Sequence, residues 1–157
     1  MHTLSGHRDG LTSARFSPDD RLVATASLDH DVRVWNARTG KLVPSVLRAH
    51  FGAVRDARFS HDGRWIVSAG PGSVGLWEVR THRLIALLRG RPSGARGPTG
   101  RGSIGTLYAA GFSPETFRVV TVGQDGAVRT YLCRVCADVD GLERLASADL
   151  AEVGAHG

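Results

Sequence analysis

One unit recurs along the chain, and this recurrence limits the possible fold more than any other feature of the sequence. Gly6 to Asn36 reads GHRDGLTSARFSPDDRLVATASLDHDVRVWN and contains three short runs, LTSARF, RLVATAS and DVRVW. Apolar side chains occupy every second position of each run, which is the period of a β-strand with one buried face. The segments 18–20 and 28–30 supply turn residues between the runs. We therefore expect three consecutive strands in this unit.

Two further stretches repeat the pattern. Residues 50–78 read HFGAVRDARFSHDGRWIVSAGPGSVGLWE and residues 103–131 read SIGTLYAAGFSPETFRVVTVGQDGAVRTY. Phe16 and Phe59 are 43 residues apart, inside the roughly 40–45-residue period of a four-stranded propeller blade. The apolar runs at 41–49 and 82–90 predict a fourth strand in the first two units.

These repeats, GH…FSPD…TASLD…VRVWN and two degraded copies, resemble the WD-repeat β-propeller family over residues 2 to about 133. The resemblance implies an all-β fold, a partial β-propeller of three four-stranded antiparallel blades of which the last is incomplete. Residues 1–137 form the WD-repeat segment, with a loop at 91–102. The expected blade limits are about 4–48, 49–90 and 103–136.

The segment 138–157 is expected to form a short C-terminal helix. Its apolar residues follow near-helical spacing, and Asp138 or Asp140 is available as a cap. The stretch YLCRVCADVDGLERLASADL resembles the end of WD-repeat regions in large actinobacterial multidomain signalling proteins. This resemblance implies that the chain holds the last three blades of a longer propeller. Since propellers close with roughly four to eight blades, either further blades or self-association of two chains would complete the ring.

In the family, a His, a Ser or Thr, an Asp and a Trp form a buried hydrogen-bonded tetrad in each blade. Matched position by position, these are His7, Thr25, Asp29 and Trp35; His50, Ser68 and Trp77; and Thr121, Asp125 and Tyr131. Unit two reads Gly70-Pro71-Gly72 where unit one has its Asp, so we expect the His50 network to be incomplete. We also expect unit one to be the most rigid of the three. A nucleophilic triad is the alternative role for the first set, but recurrence of the same positions in several units favours a structural role.

The sequence contains no motif that nominates a reaction. It lacks G-x-S-x-G, H-E-x-x-H and a phosphate-binding glycine loop, so we expect neither an enzyme nor a cofactor. The resemblance implies a non-catalytic scaffold that binds an unknown protein or peptide, as part of a signalling protein. Family contact positions lie three and five residues after the tetrad His and one before the tetrad Asp. Carried onto this sequence they include Thr12, Leu28, Arg55, Tyr108 and Gln124.

The alternative function is a nucleic-acid-binding module that uses the Arg/Gly-rich loop 89–102. This loop, RGRPSGARGPTGRG, has no periodicity and is typical of a loop. Its segment 89–92 resembles the AT-hook, a peptide whose arginines enter the narrow minor groove of A·T tracts. A solvated loop without a nucleic-acid ligand is the plainer interpretation, and we favour it.

Cys133-Arg134-Val135-Cys136 is a C-x-x-C motif, which is compatible with zinc binding, a redox pair or a structural strand end. Positions three apart on a strand point to opposite faces, which favours the structural role, and we expect no metal site. The chain has no run of eighteen apolar residues and no charged-then-apolar leader. We therefore expect the protein to be cytoplasmic and to make no contact with a membrane.

Overall fold

The computed structural model describes residues 2–89, 106–113, 118–124 and 126–133, and this part of the chain consists of three antiparallel sheets. The strands are β1 Leu11–Phe16, β2 Leu22–Ser27, β3 Asp31–Asn36, β4 Leu42–Arg48, β5 Asp56–Phe59, β6 Trp65–Gly70, β7 Ser73–Glu78, β8 Arg83–Arg89, β9 Leu107–Phe112, β10 Arg118–Gly123 and β11 Val128–Leu132. Sheet one has the order β1-β2-β3-β4 and sheet two the order β5-β6-β7-β8, while sheet three holds β9, β10 and β11 with β10 in the middle.

The turn between the first and second strands of a sheet is held by a repeated serine. Ser17 Oγ accepts a hydrogen bond from the backbone N–H of Leu22 at 2.9 Å and bonds to Asp19. Ser60 Oγ accepts the N–H of Trp65 at 3.0 Å and donates to Asp62. The Ser-x-Asp spacing closes this turn because a side chain two residues on can bond the serine hydroxyl while the hydroxyl caps the next strand.

Apolar side chains fill the two spaces between neighbouring sheets. The first cluster joins sheet one to sheet two, and the second joins sheet two to sheet three. The first includes Ala24, Val32, Leu47, Val54, Ile66 and Trp77, and the second includes Trp65, Val67, Leu76, Leu107, Ala110 and Val119. Sheet two is packed on both of its faces, and every residue of β6 is buried. The expectation that unit one is the most rigid of the three stays a prediction.

The prediction of an all-β fold built from successive antiparallel blades is confirmed in the described residues. The expected C-terminal helix at 138–157 and the loop at 91–102 lie outside them. Cys133 is buried and disulfide-bonded at the end of the third sheet.

Candidate functional site

The loops at one end of the three sheets bring the predicted site residues into one region. We call it the upper end: the end at which the first strand of each sheet begins and the second strand ends. The lower end carries the Ser-x-Asp turns. Because every second strand returns to the upper end, three equivalent sets of loops meet there.

The four predicted tetrad residues of unit one form a continuous chain of hydrogen bonds. Trp35 Nε1 donates to Thr25 Oγ1 at 2.8 Å. Thr25 Oγ1 lies 2.8 Å from His7 Nε2, and His7 Nδ1 lies 2.9 Å from Asp29 Oδ2. The backbone N–H of Arg8 donates to the same Asp29 oxygen at 2.9 Å. The chain ties the segment before β1 to strands β2 and β3.

The direction of these bonds follows from the chemistry of the groups. A carboxylate only accepts, so His7 must carry its proton on Nδ1 when it bonds to Asp29. An Nε2 atom that carries no proton accepts from the Thr25 hydroxyl, which lies 2.8 Å away. Each donor in the chain therefore has an acceptor, which is the arrangement that makes a buried polar network stable.

Hydrogen bonds keep Asp29 ionised despite its surroundings. Burial favours the neutral acid, but the N–H groups of Arg8, His7 and Asp31 donate to this carboxylate and hold the pKa of Asp29 well below its ordinary value. Arg33 Nη2 lies 3.8 Å from Asp29 Oδ2 and adds a positive charge nearby.

Unit two forms an equivalent network with a different acceptor. His50 Nε2 lies 2.8 Å from Ser68 Oγ, which accepts from Trp77 Nε1 at 2.9 Å. His50 Nδ1 lies 3.0 Å from Ser73 Oγ. The expectation of an incomplete His50 network is therefore wrong, because the hydroxyl of Ser73 bonds to the ring. Ser73 is the first residue of β7 and holds the register position that Asp31 holds in unit one.

The shortened turn of unit two brings the backbone close to the His50 ring. A Cβ on Gly70 would lie 2.7 Å from His50 Nδ1, so a side chain at this position would displace the ring. Burial lowers the pKa of His50 to about 4. Ser68 and Ser73 bring no negative charge to the ring, and His50 is neutral at pH 7.

The third set is only partly described. The Thr121 hydroxyl is buried and has no hydrogen-bond partner among the residues that the structure describes. Tyr131 pairs with Val119, which is the register position of Trp35 opposite Val23, and it packs against the second cluster. Asp125 lies outside the described residues.

The unit-one geometry does not suit a nucleophile. Thr25 is 2% exposed and Trp35 also is 2% exposed, so a substrate would have to displace the core to reach the hydroxyl. The hydroxyl is also already engaged by an indole N–H. The arrangement can fix the loops of the upper end, which is a structural task.

Hydrogen bonds join the upper ends of the sheets into one continuous rim. The Thr12 hydroxyl donates to the backbone oxygen of Val54 at 2.6 Å, and Val54 N–H donates to Ser27 at 3.0 Å. A register shift between Leu11 and Ser13 in β1 accompanies this contact. Pro71 forms an isolated bridge with Thr106, which links sheets two and three.

The predicted contact residues all lie on this rim, but they differ in exposure. Arg55, Tyr108 and Gln124 are exposed, whereas Thr12 and Leu28 are half-buried. The Thr12 hydroxyl is already used between the sheets. The Arg55 guanidinium forms no ion pair with any residue in the described ranges.

Sequence reasoning missed Phe51, which is 82% exposed on the same rim, directly after His50. The family positions skip this residue. A large aromatic side chain in a loop that is otherwise small and polar was the available signal.

Within residues 2–89, 106–113, 118–124 and 126–133, no group of His, Cys, Asp and Glu has the arrangement of a metal site. No helix in the same ranges is long and apolar enough to span a membrane. Most of the Arg/Gly-rich loop 89–102 lies outside the described residues, and the side chain of Arg89 is not described.

Comparison with known proteins places this geometry in a wider group. The family model described as "WD domain, G-beta repeat" matches residues 1–36 and 41–78. The nuclear distribution protein nudF of Emericella nidulans is 36% identical over 92 residues, which are 57% of this chain and 21% of that protein. Human apoptotic protease-activating factor 1 is 34% identical over 88 residues, 52% of this chain and 7% of that protein.

A third similar protein is the probable cytosolic iron-sulfur protein assembly protein Ciao1 of Culex quinquefasciatus. It is 33% identical over 85 residues, 52% of this chain and 25% of that protein. The chain thus spans a quarter or less of the length of these three relatives.

Proposed function

The chain is a member of the WD-repeat family through residues 1–36 and 41–78, and from this premise we propose that it is a non-catalytic scaffold that binds a protein or peptide segment at its upper end. The observation that carries the proposal is the continuous rim, which bears the exposed side chains of Arg55, Tyr108 and Gln124. The His7 and His50 networks hold the parts of this rim that belong to sheets one and two.

Rigid support is what an interaction surface needs. Backbone hydrogen bonds hold the rim residues in place. The N–H of Arg55 donates to the backbone oxygen of Ala69, and the N–H of Gln124 donates to that of Thr106. A surface fixed before binding loses less conformational entropy when its partner arrives. We propose Thr12, Leu28, Arg55, Tyr108 and Gln124 as the contacts, and we add Phe51.

The chemistry of the rim indicates what the partner carries. Phe51 and Tyr108 offer exposed aromatic surface, and aromatic and Arg side chains are enriched at the energetic centres of interfaces. Arg55 adds a cation, whereas the carboxylates of Asp29 and Asp31 are already engaged by His7, Arg33 and Arg48. The segment that fits best is an extended peptide with an apolar and an acidic side chain.

The wider setting follows the relatives. Their names describe nuclear distribution, protease activation and iron-sulfur protein assembly, and these names support a binding role. We propose that this scaffold works in the cytoplasm, within a signalling protein, and as part of a larger propeller.

The proposal is tested by selecting peptides from a random display library on the purified chain and measuring their affinity for variants. We expect Arg55→Ala and Tyr108→Ala to weaken binding at least about tenfold. His61→Ala, at an exposed lower-end position, is the matched control and should leave affinity unchanged. Peptides that bind all three variants as well as the parent chain would contradict the proposal.

A further inference from the structure

Sheet three presents an apolar face that no described residue covers. Val120 and Val122 of β10 are 37% and 38% exposed, and Val128 of β11 is 67% exposed. Val122 lies directly opposite Val128 in the strand pairing, so the three side chains form one patch, which we call the sheet-three face. Exposed apolar patches of this kind mark interaction sites.

The equivalent patches of the other two sheets are buried. The strand pairing fixes the equivalence, because Ala26 lies opposite Val32 and Ala69 lies opposite Val74, as Val122 lies opposite Val128. Counterparts in sheet one are Ala24, Ala26 and Val32, each at 0%, and in sheet two Val67, Ala69 and Val74, at 0%, 0% and 1%. The chain therefore covers this face twice and leaves the third copy exposed.

The group that covers such a face comes from the first strand of the following sheet and the residues before it. Val54 and Ala57 belong to the cluster that covers sheet one, and Leu107 and Ala110 belong to the cluster that covers sheet two. In each case an apolar residue is followed by alanine three positions later and by phenylalanine two positions after that.

The same spacing occurs once more, in β1, where it covers no sheet face among the described residues. Leu11 and Ala14 hold the equivalent positions, and the equivalence is fixed by pairing because Ala14 lies opposite Thr25 as Ala57 lies opposite Ser68. Leu11 is 56% exposed and Phe16 is 63% exposed, whereas Phe59 and Phe112 are partly buried against the clusters. We call Leu11, Ala14 and Phe16 the β1 edge.

We propose that a second copy of this chain binds head to tail, with the β1 edge of one copy packed on the sheet-three face of the other. The chain exposes the β1 edge and the sheet-three face, which are the two surfaces that pack together twice between its own sheets. A second copy can therefore form the same kind of contact with either surface. This contact is heterologous, and such contacts close into rings when the rotation permits. Two copies bring six sheets, a number within the roughly four to eight of closed propellers.

The interface lies on sheet faces and leaves the upper-end rim free, so this inference does not depend on the peptide-binding function. It is tested by sedimentation velocity on the full chain over a range of concentrations. We expect a dimer, and we expect Leu11→Asp and Val122→Asp each to raise the dissociation constant at least about tenfold. Ile85→Asp, at a residue that is 40% exposed elsewhere, is the matched control and should leave the dimer intact.

A mixing experiment separates this arrangement from a symmetric one. In a head-to-tail dimer, Leu11→Asp retains the sheet-three face and Val122→Asp retains the β1 edge, so an equimolar mixture of the two variants should associate although neither does alone. Circular dichroism would verify that both variants remain folded. A monomeric parent chain, or a Leu11→Asp variant that still dimerises, would overturn the proposal.

Discussion

The imidazoles of His7 and His50 hold the same place in their units but bond to different acceptors. His7 faces the Asp29 carboxylate at 2.9 Å, and His50 faces the Ser73 hydroxyl at 3.0 Å. A charged acceptor strengthens the bond but must itself be kept ionised in a buried place, and a hydroxyl avoids that requirement. The two units therefore differ in their response to substitution and to pH.

Replacing Asp29 by Asn should destabilise the fold. The carboxylate of Asp29 accepts hydrogen bonds from His7, Arg8 and Asp31, and the uncharged amide of Asn is a weaker acceptor. The substitution also removes a negative charge near the guanidinium of Arg33. We expect the free energy of unfolding to fall by about 1–3 kcal/mol, measured by chemical denaturation. Asp9→Asn makes the same change at an exposed site and should cost under about 0.5 kcal/mol. Equal losses in the two variants would contradict the assigned role of Asp29.

His50 should make stability depend on pH. Its folded-state pKa of about 4 lies below its ordinary value of 6.5, so the unfolded chain binds the proton more readily between these values. The stability that neutral His50 provides is complete above about pH 6.5 and is lost as pH falls toward 4, by up to about 3 kcal/mol. Asp29, whose pKa is also lowered, adds a further loss of stability as the pH falls below its ordinary pKa of 3.8.

The measurement is the free energy of unfolding at pH 7 and pH 5. His50→Asn should be less stable at pH 7 but should lose most of the difference between the two pH values. His61→Asn removes an exposed imidazole and should keep the pH dependence of the parent chain. A parent chain that is as stable at pH 5 as at pH 7 would show that His50 is not buried and neutral as described.

At the scale of elements, the repeats also differ in how their turns are made. The turn between the third and fourth strands contains Gly40 in unit one, at a φ of 68°, and His82 at the equivalent place in unit two, at a φ of 55°. Glycine adopts this left-handed conformation freely, while a residue with a Cβ is strained there. Gly40 of unit one therefore shows that glycine fits the turn position that His82 occupies in unit two.

His82→Gly should stabilise the fold by about 0.5–1 kcal/mol, because the strain removed exceeds the entropy added to the unfolded chain. Thermal unfolding followed by circular dichroism would measure this gain as a higher midpoint. His61→Gly makes the same substitution in a turn at the same end, where φ is not positive, and should lower the midpoint. If both variants lowered it, the His82 backbone would not be strained.

The strands could be predicted from the sequence because the alternation of apolar and polar residues over about six positions indicates both a strand and the face that it buries. Val23 and Trp35, for example, lie in two runs that the alternation predicts as strands, and they pair in the structure. The Ser73 contact with His50 could not be predicted in this way, because a serine at the start of a strand carries no sign of the ring it will meet. The position of Phe51 also depends on the close approach of the neighbouring Gly52 to Pro71, which no periodicity encodes.

At the scale of the whole molecule, the described part of the chain contains three similar sheets that present two kinds of surface. The loops at the upper end form the rim on which we place peptide binding, and the flat faces at the two ends of the stack form the surfaces on which we place self-association. Both kinds of surface depend on the strand register, which is the same in the three sheets. Equivalent side chains therefore take equivalent positions in each sheet.

The central claim, that the upper-end rim is the binding surface, is tested most directly by hydrogen exchange on the chain with and without a selected peptide. The account predicts slower exchange at the amides of Leu28, Arg55 and Gln124, which lie on the rim and donate to Gly10, Ala69 and Thr106. It predicts no change in the lower-end turn at 60–64. Slower exchange confined to that turn or to β10 and β11, with the rim unaffected, would contradict the claim.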